Sequence, residues 1–123
     1  LKLGRTGEVR DELFRLDYEY PDDMNVKRVL AWAMLSDKSL DKAAQLYDTL
    51  LAESPAHEDY LNGGYCQWAM GNIQRAADLF REWMTKSGKS RDQLLKEFHS
   101  DADTLSRYGI TETDCFLMLS MVG

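Results

Sequence analysis

Cysteine is scarce: Cys66 and Cys115 are the only two in 123 residues. Two thiols cannot build a dense disulfide framework, and theirs is not the spacing of a metal-binding motif. Long apolar runs are missing too, and none approaches the length of a membrane span. The first residues, Leu1-Lys2-Leu3-Gly4-Arg5, carry no signal-peptide pattern. Basic residues fall short of acidic ones, 15 against 21, for a net charge of -6. That deficit argues against a general binder of phosphate backbones, with a local basic patch left open. No glycine-rich phosphate loop, nucleophile elbow or paired-carboxylate motif occurs, and the acids are scattered along solvated helix faces. The expectation is a non-enzymatic chain with no cofactor, no nucleic-acid partner and no membrane partner.

What is present is a globular composition. Hydrophobic residues make up 44% and charged residues 29%, in a length that suits one ordinary domain. The chain reads as a soluble, compact domain with reduced thiols. A cytoplasmic location is favoured, with an upstream signal left open.

Self-similarity decides the architecture. Leu40, Ala43, Ala44, Leu46, Tyr47, Leu50 and Leu51 superimpose on Ile73, Ala76, Ala77, Leu79, Phe80, Trp83 and Met84 at an offset of 33. Small residues stay small, and large apolar residues stay large or become aromatic. Upstream, Trp32 maps to Tyr65, Ala33 to Cys66 and Leu35 to Trp68. A fainter copy precedes at an offset of 34: Val9, Leu13, Leu16 and Pro21 map to Ala43, Tyr47, Leu50 and Pro55. A helix breaker closes each copy, at Pro21, Pro55 and Gly88. Within the copies the apolar period is helical, as in Val26, Val29, Leu30, Ala33 and Met34. Ser36-Asp37-Lys38-Ser39 and Met70-Gly71-Asn72 interrupt it as polar turns, with Ser39 and Asn72 as expected N-caps. Each unit is thus expected to be a helix, a tight turn and a second helix.

These residues resemble the tetratricopeptide repeat, a family whose consensus places a large residue, Leu-Gly, Tyr, Ala-x3-Phe and Pro within about 34 residues. The third copy reads Tyr60-x2-Gly63-Gly64-x2-Gln67 and Ala76-x3-Phe80; the second reads Lys27-x2-Leu30-Ala31-x2-Met34, Ala43-x3-Tyr47 and Pro55. Lys27, Gly63 and Gln67 depart from the consensus. The resemblance covers residues 1–88 and implies an all-α fold, an α-α superhelix. Such a fold is a right-handed solenoid of antiparallel helix hairpins with C-terminal capping helices. Residues 1–21 would be a partial repeat, 24–56 and 57–88 two repeats, and 89–123 a capping helical pair. The chain begins without Met, and residues 1–4 look like the end of a helix. A fragment of a longer repeat protein is therefore expected, with Val9, Leu13 and Leu16 partly exposed. Gly63-Gly64, inside an uninterrupted apolar phase, is expected to stay helical and leave room for a neighbouring backbone.

Beyond residue 88, Ser90 with Gln93 forms a capping box. Leu94, Leu95, Phe98, Ala102 and Leu105 mark one helix reaching about Tyr108, stopped at Gly109 with Ile110 packing back on Leu105. Thr111 and Asp114 open a last helix, apolar almost all round and so expected to be buried on several sides.

In the family, the first helices of successive units line a concave groove that takes extended peptides or helices. Carried over, the resemblance places Asn25, Arg28, Trp32 and Leu35 there, followed by Glu58, Leu61, Asn62, Tyr65 and Trp68. Aromatic anchors of this kind dominate interface energetics. The competing reading packs some of these rings between helices; it is preferred for Trp68, whereas Trp32 and Tyr65 go to the groove. Some members clamp a C-terminal carboxylate with Lys, Arg and Asn. Arg28 and Asn62 suit that clamp, with Lys96 extending it, but Trp32 replaces an Asn, so a complete clamp is not expected. His57 and His99 read as surface histidines and Cys66 as a buried, inert thiol. The expected partner is a protein or peptide. A homo-oligomer through residues 112–122 or the N-terminal repeat end is the alternative.

Overall fold

The computed structural model describes residues 6–53 and 55–123, with side chains from residue 11 onward. Residues 1–4 and the Val9 side chain lie outside that set. Among the described residues there are eight α-helices and no strand. They are α1 (Thr6–Glu19), α2 (Met24–Ser36), α3 (Leu40–Glu53), α4 (His57–Ala69), α5 (Ile73–Ser87), α6 (Arg91–Ser100), α7 (Ala102–Arg107) and α8 (Glu112–Val122). The chain divides into two compact units, one up to Pro55 and one from Ala56 to Gly123. In the first, α2 packs on α1 and α3; in the second, α4 packs on α5, α8 packs on both α5 and α6, and α7 follows on α6.

The repeat is visible in the element bounds. Helices α2 and α4 begin 33 residues apart and end 33 apart; α3 and α5 begin 33 apart; α1 and α3 begin and end 34 apart. The spacing extends one step further than the residue pattern, because α6 starts 34 residues after α4. The turns repeat as well. Ser39 N–H donates to Met34 O at 2.8 Å, and Asn72 N–H donates to Gln67 O at 2.9 Å. The residues just before them, Lys38 and Gly71, are left-handed with φ of 60° and 85°. This is the Schellman stop. It recurs where Ile110 N–H donates to Leu105 O at 3.1 Å past the left-handed Gly109.

Ala43, Ala44, Ala76 and Ala77 are all buried, as are Leu46, Tyr47 and Leu50 and their counterparts Leu79, Phe80 and Trp83. Each large apolar side chain so buried contributes roughly 1.5–3 kcal/mol against leaving it in water. The Lys27 ammonium and the Asp17 carboxylate, 2.7 Å apart, tie α2 to α1 beside half-buried Leu13 and Leu16. Gly63 and Gly64 are helical as expected. The space Gly64 leaves, however, is taken by a ring and not by backbone: a Cβ there would lie 2.5 Å from Phe80 Cε1.

Several local expectations are corrected. Val29 is 55% exposed, so the apolar stripe of α2 is narrower than its sequence period. Asn72 holds the N-cap position, but its side-chain amide donates to Gln67 Oε1 at 2.8 Å and does not cap. The helix expected to run from 91 to about 108 breaks at Asp101, which ends α6 and starts α7. The break coincides with a long-range hydrogen bond: Tyr65 on α4 donates to Asp101 Oδ2 at 2.7 Å. The capping boxes at Ser90/Gln93 and Thr111/Asp114 form as read. Helix α8 buries one face, Cys115, Met118, Leu119 and Val122, and leaves Phe116 and Leu117 exposed, so it is not enclosed on all sides.

Candidate functional site

On α2, Asn25, Arg28 and Trp32 follow one another at three- and four-residue steps, which places them on one stripe of the helix. Asp23 caps this helix, its carboxylate accepting from the Asn25 and Val26 amides at 3.0 and 3.2 Å. The capped first turn presents Asn25 outward, and Arg28 Nη1 donates to Asn25 Oδ1 at 2.9 Å. Trp32 is half-buried and Leu35 fully buried. On α4, Glu58 is exposed, Asn62 half-buried and Leu61 buried.

Leu35, Leu61, Tyr65 and Trp68 are buried and do not offer a binding surface; for Leu35, Leu61 and Tyr65 this corrects the groove assignment, whereas Trp68 packs between helices as preferred. The Tyr65 ring is 1% exposed and packs edge-on to Phe80 and obliquely to Phe98, with centroids 5.8 and 6.1 Å away. Trp68 lies 5.7 Å from Phe80 and 5.2 Å from Phe98. The four rings, contributed by α4, α5 and α6, form the aromatic core of the second unit. Offset and edge-on pairs of this kind add about 0.5–1.5 kcal/mol each beyond their buried area. Burial, with the Asp101 hydrogen bond and charge behind it, holds the Tyr65 phenol far above its ordinary titration range. The covering helix α6 is what sequence spacing did not supply: Phe98 was legible as an apolar face, but not as the lid over Tyr65.

A cleft within the second unit was not singled out in the sequence. Between α6, α7 and the start of α8 lies a cleft of about 590 Å³, lined by Phe98, His99, Ala102, Leu105, Ser106, Gly109, Ile110, Thr111, Glu112 and Cys115. The short α7 and the left-handed turn at Gly109 fold α8 back to close its far wall. Its deepest side chains, Phe98, Leu105 and Cys115, are buried and apolar. Two hydroxyls on the wall are already engaged locally. Ser106 donates to Asp103 O at 2.9 Å, and Thr111 both accepts from the Asp114 amide at 3.2 Å and donates to the Asp114 carboxylate at 3.0 Å. At the mouth, Glu112 Oε1 stands 3.6 Å from His99 Nε2, both side chains more than half exposed. Burial, and then the nearby Asp114 and Glu112 charges, push the Cys115 thiol up from its usual range.

Cys66 is fully buried in the slot that Ala33 fills in the first unit. His57 and His99 are exposed. Among the described residues, no group of three or more His, Cys, Asp or Glu could hold a metal ion, and no helix is long and apolar enough to cross a membrane. No family model, no curated protein and no solved structure matches the chain.

Proposed function

We propose that the chain is a protein–protein interaction module of tetratricopeptide-like hairpins, stacked as a right-handed superhelix, that takes a segment of a partner protein. The observation that carries this reading is the common period. Helices and left-handed turns recur at 33 and 34 residues, with buried alanines at equivalent places in α3 and α5. A hairpin of this kind cannot shield its apolar side alone, so repeats stack and expose long faces suited to extended ligands. The contact stripe runs along α2 through Asn25, Arg28 and Trp32, an amide, a cation and an indole in one row. Glu58 and Asn62 are the candidates on α4.

Selection of peptides from a random displayed library tests the reading. Enriched peptides should lose roughly tenfold or more in affinity for Trp32→Ala or Arg28→Ala, the scale of an interface hot spot, with helicity by circular dichroism unchanged. Peptides that bind both variants as well as the parent chain would sink it. A second reading, a structural array that self-associates, is favoured by one observation: Phe116 and Leu117 on α8 are 52% and 59% exposed.

A further inference from the structure

We infer that the cleft between α6, α7 and α8 is a binding site for a small amphiphilic amine, its apolar body against the mostly apolar lining of the cleft and its ammonium group at Glu112. The site is independent of the α2 stripe and of the repeat reading.

The wall chemistry selects the ligand. A cleft of about 590 Å³ is within the size range of small-molecule sites. The surface it offers is mostly apolar, so a polar ligand body would lose its water with little replacement. The wall hydroxyls add little to it, because Ser106 and Thr111 already donate their protons locally and can only accept. Polarity is concentrated at the mouth, where Glu112 is the one carboxylate among the lining residues. Its neighbour His99 lies at 3.6 Å, longer than a well-formed hydrogen bond, so the carboxylate has capacity for a closer cationic partner. Arg107 does not line the cleft, and among the lining residues His99 alone can carry positive charge, and only when protonated. An anionic amphiphile would meet Glu112 as a like charge. A neutral one would gain only the apolar contact.

The test compares n-octylammonium with n-octanol and n-octanoate, each below its aggregation threshold, by amide chemical-shift titration of the full chain. The expected result is saturable shifts centred on residues 98–115. Octylammonium should bind roughly fivefold tighter than octanol, the scale of one exposed ion pair, and octanoate more weakly than either. Glu112→Gln lies at an exposed position and leaves the Thr111/Asp114 cap intact. It should bring octylammonium down to octanol and leave octanol unchanged. Ala102→Phe, which places a ring in the mouth from an exposed position, should abolish all three while the far-ultraviolet spectrum stays the same. The proposal is overturned by an absence of saturable shifts or by an amine preference that survives Glu112→Gln. Shifts centred on the outward face of Phe116 and Leu117 would overturn it equally.

Discussion

Trp32 and Tyr65 occupy the same position of the period, yet one is half-buried and the other sealed. The difference arises within the second unit, where α6 brings Phe98, the Glu97 carbonyl and the Asp101 carboxylate onto the face of α4. Tyr65 therefore supports stability, while Trp32 on α2 stays half-buried. Tyr65→Phe keeps the ring and removes the hydrogen bond to a carboxylate, which should cost about 1.5 kcal/mol in urea unfolding at pH 7. The pH dependence follows from the raised folded-state phenol. Below about pH 10 both folded and unfolded chains keep the proton, so the contribution is complete. Above it the unfolded chain releases the proton first, and stability falls as pH rises. The gap between Tyr65→Phe and the parent chain should accordingly shrink between pH 9 and pH 11; a gap constant over that range would show that the phenol is not sealed. At this scale the sequence was a good guide to slots that need a small residue, such as Cys66 in the place of Ala33. It was a poor guide to Tyr65, because an aromatic residue suits a groove and a core equally and only its neighbours decide.

Turns and caps show how far local chemistry reaches. The Ser90/Gln93 and Thr111/Asp114 boxes, and the stops at Gly88 and Gly109, depend on residues within one turn of one another and were legible for that reason. The α6–α7 break was not, because the partner of Asp101 lies 36 residues away in the chain. The period itself supplies a test. Lys38 and Gly71 are equivalent and both left-handed, but only glycine adopts that conformation without a steric cost. Lys38→Gly should stabilise the chain by up to about 1 kcal/mol, and Gly71→Lys should destabilise it by about as much. Thermal unfolding of the two variants checks this. Equal and unchanged midpoints would mean that the turns are not equivalent in energy.

At the scale of the whole molecule, the exposed side of α8 bears on association. Phe116 and Leu117 put two large apolar side chains in water beside the charged first turn of that helix. Such pairs are common on monomers, but they also seed contacts when they adjoin a larger apolar surface. If the self-associating reading holds, light scattering will give a mass that rises with concentration and returns to that of one chain in Phe116→Ser/Leu117→Ser. A single-chain mass at every concentration leaves the partner-binding reading alone. By itself the sequence determined the helical class, the 33- and 34-residue spacing, the small residues at close approaches and most helix ends, since each depends on periodicity or on groups a few residues apart. Only the tertiary structure decided that Tyr65 belongs to the core, that the 91–108 segment breaks at Asp101 and that α8 folds back to leave a cleft. Those outcomes depend on which faces meet across long stretches of chain, and burial, unlike periodicity, belongs to both partners of a contact and cannot be read from either one.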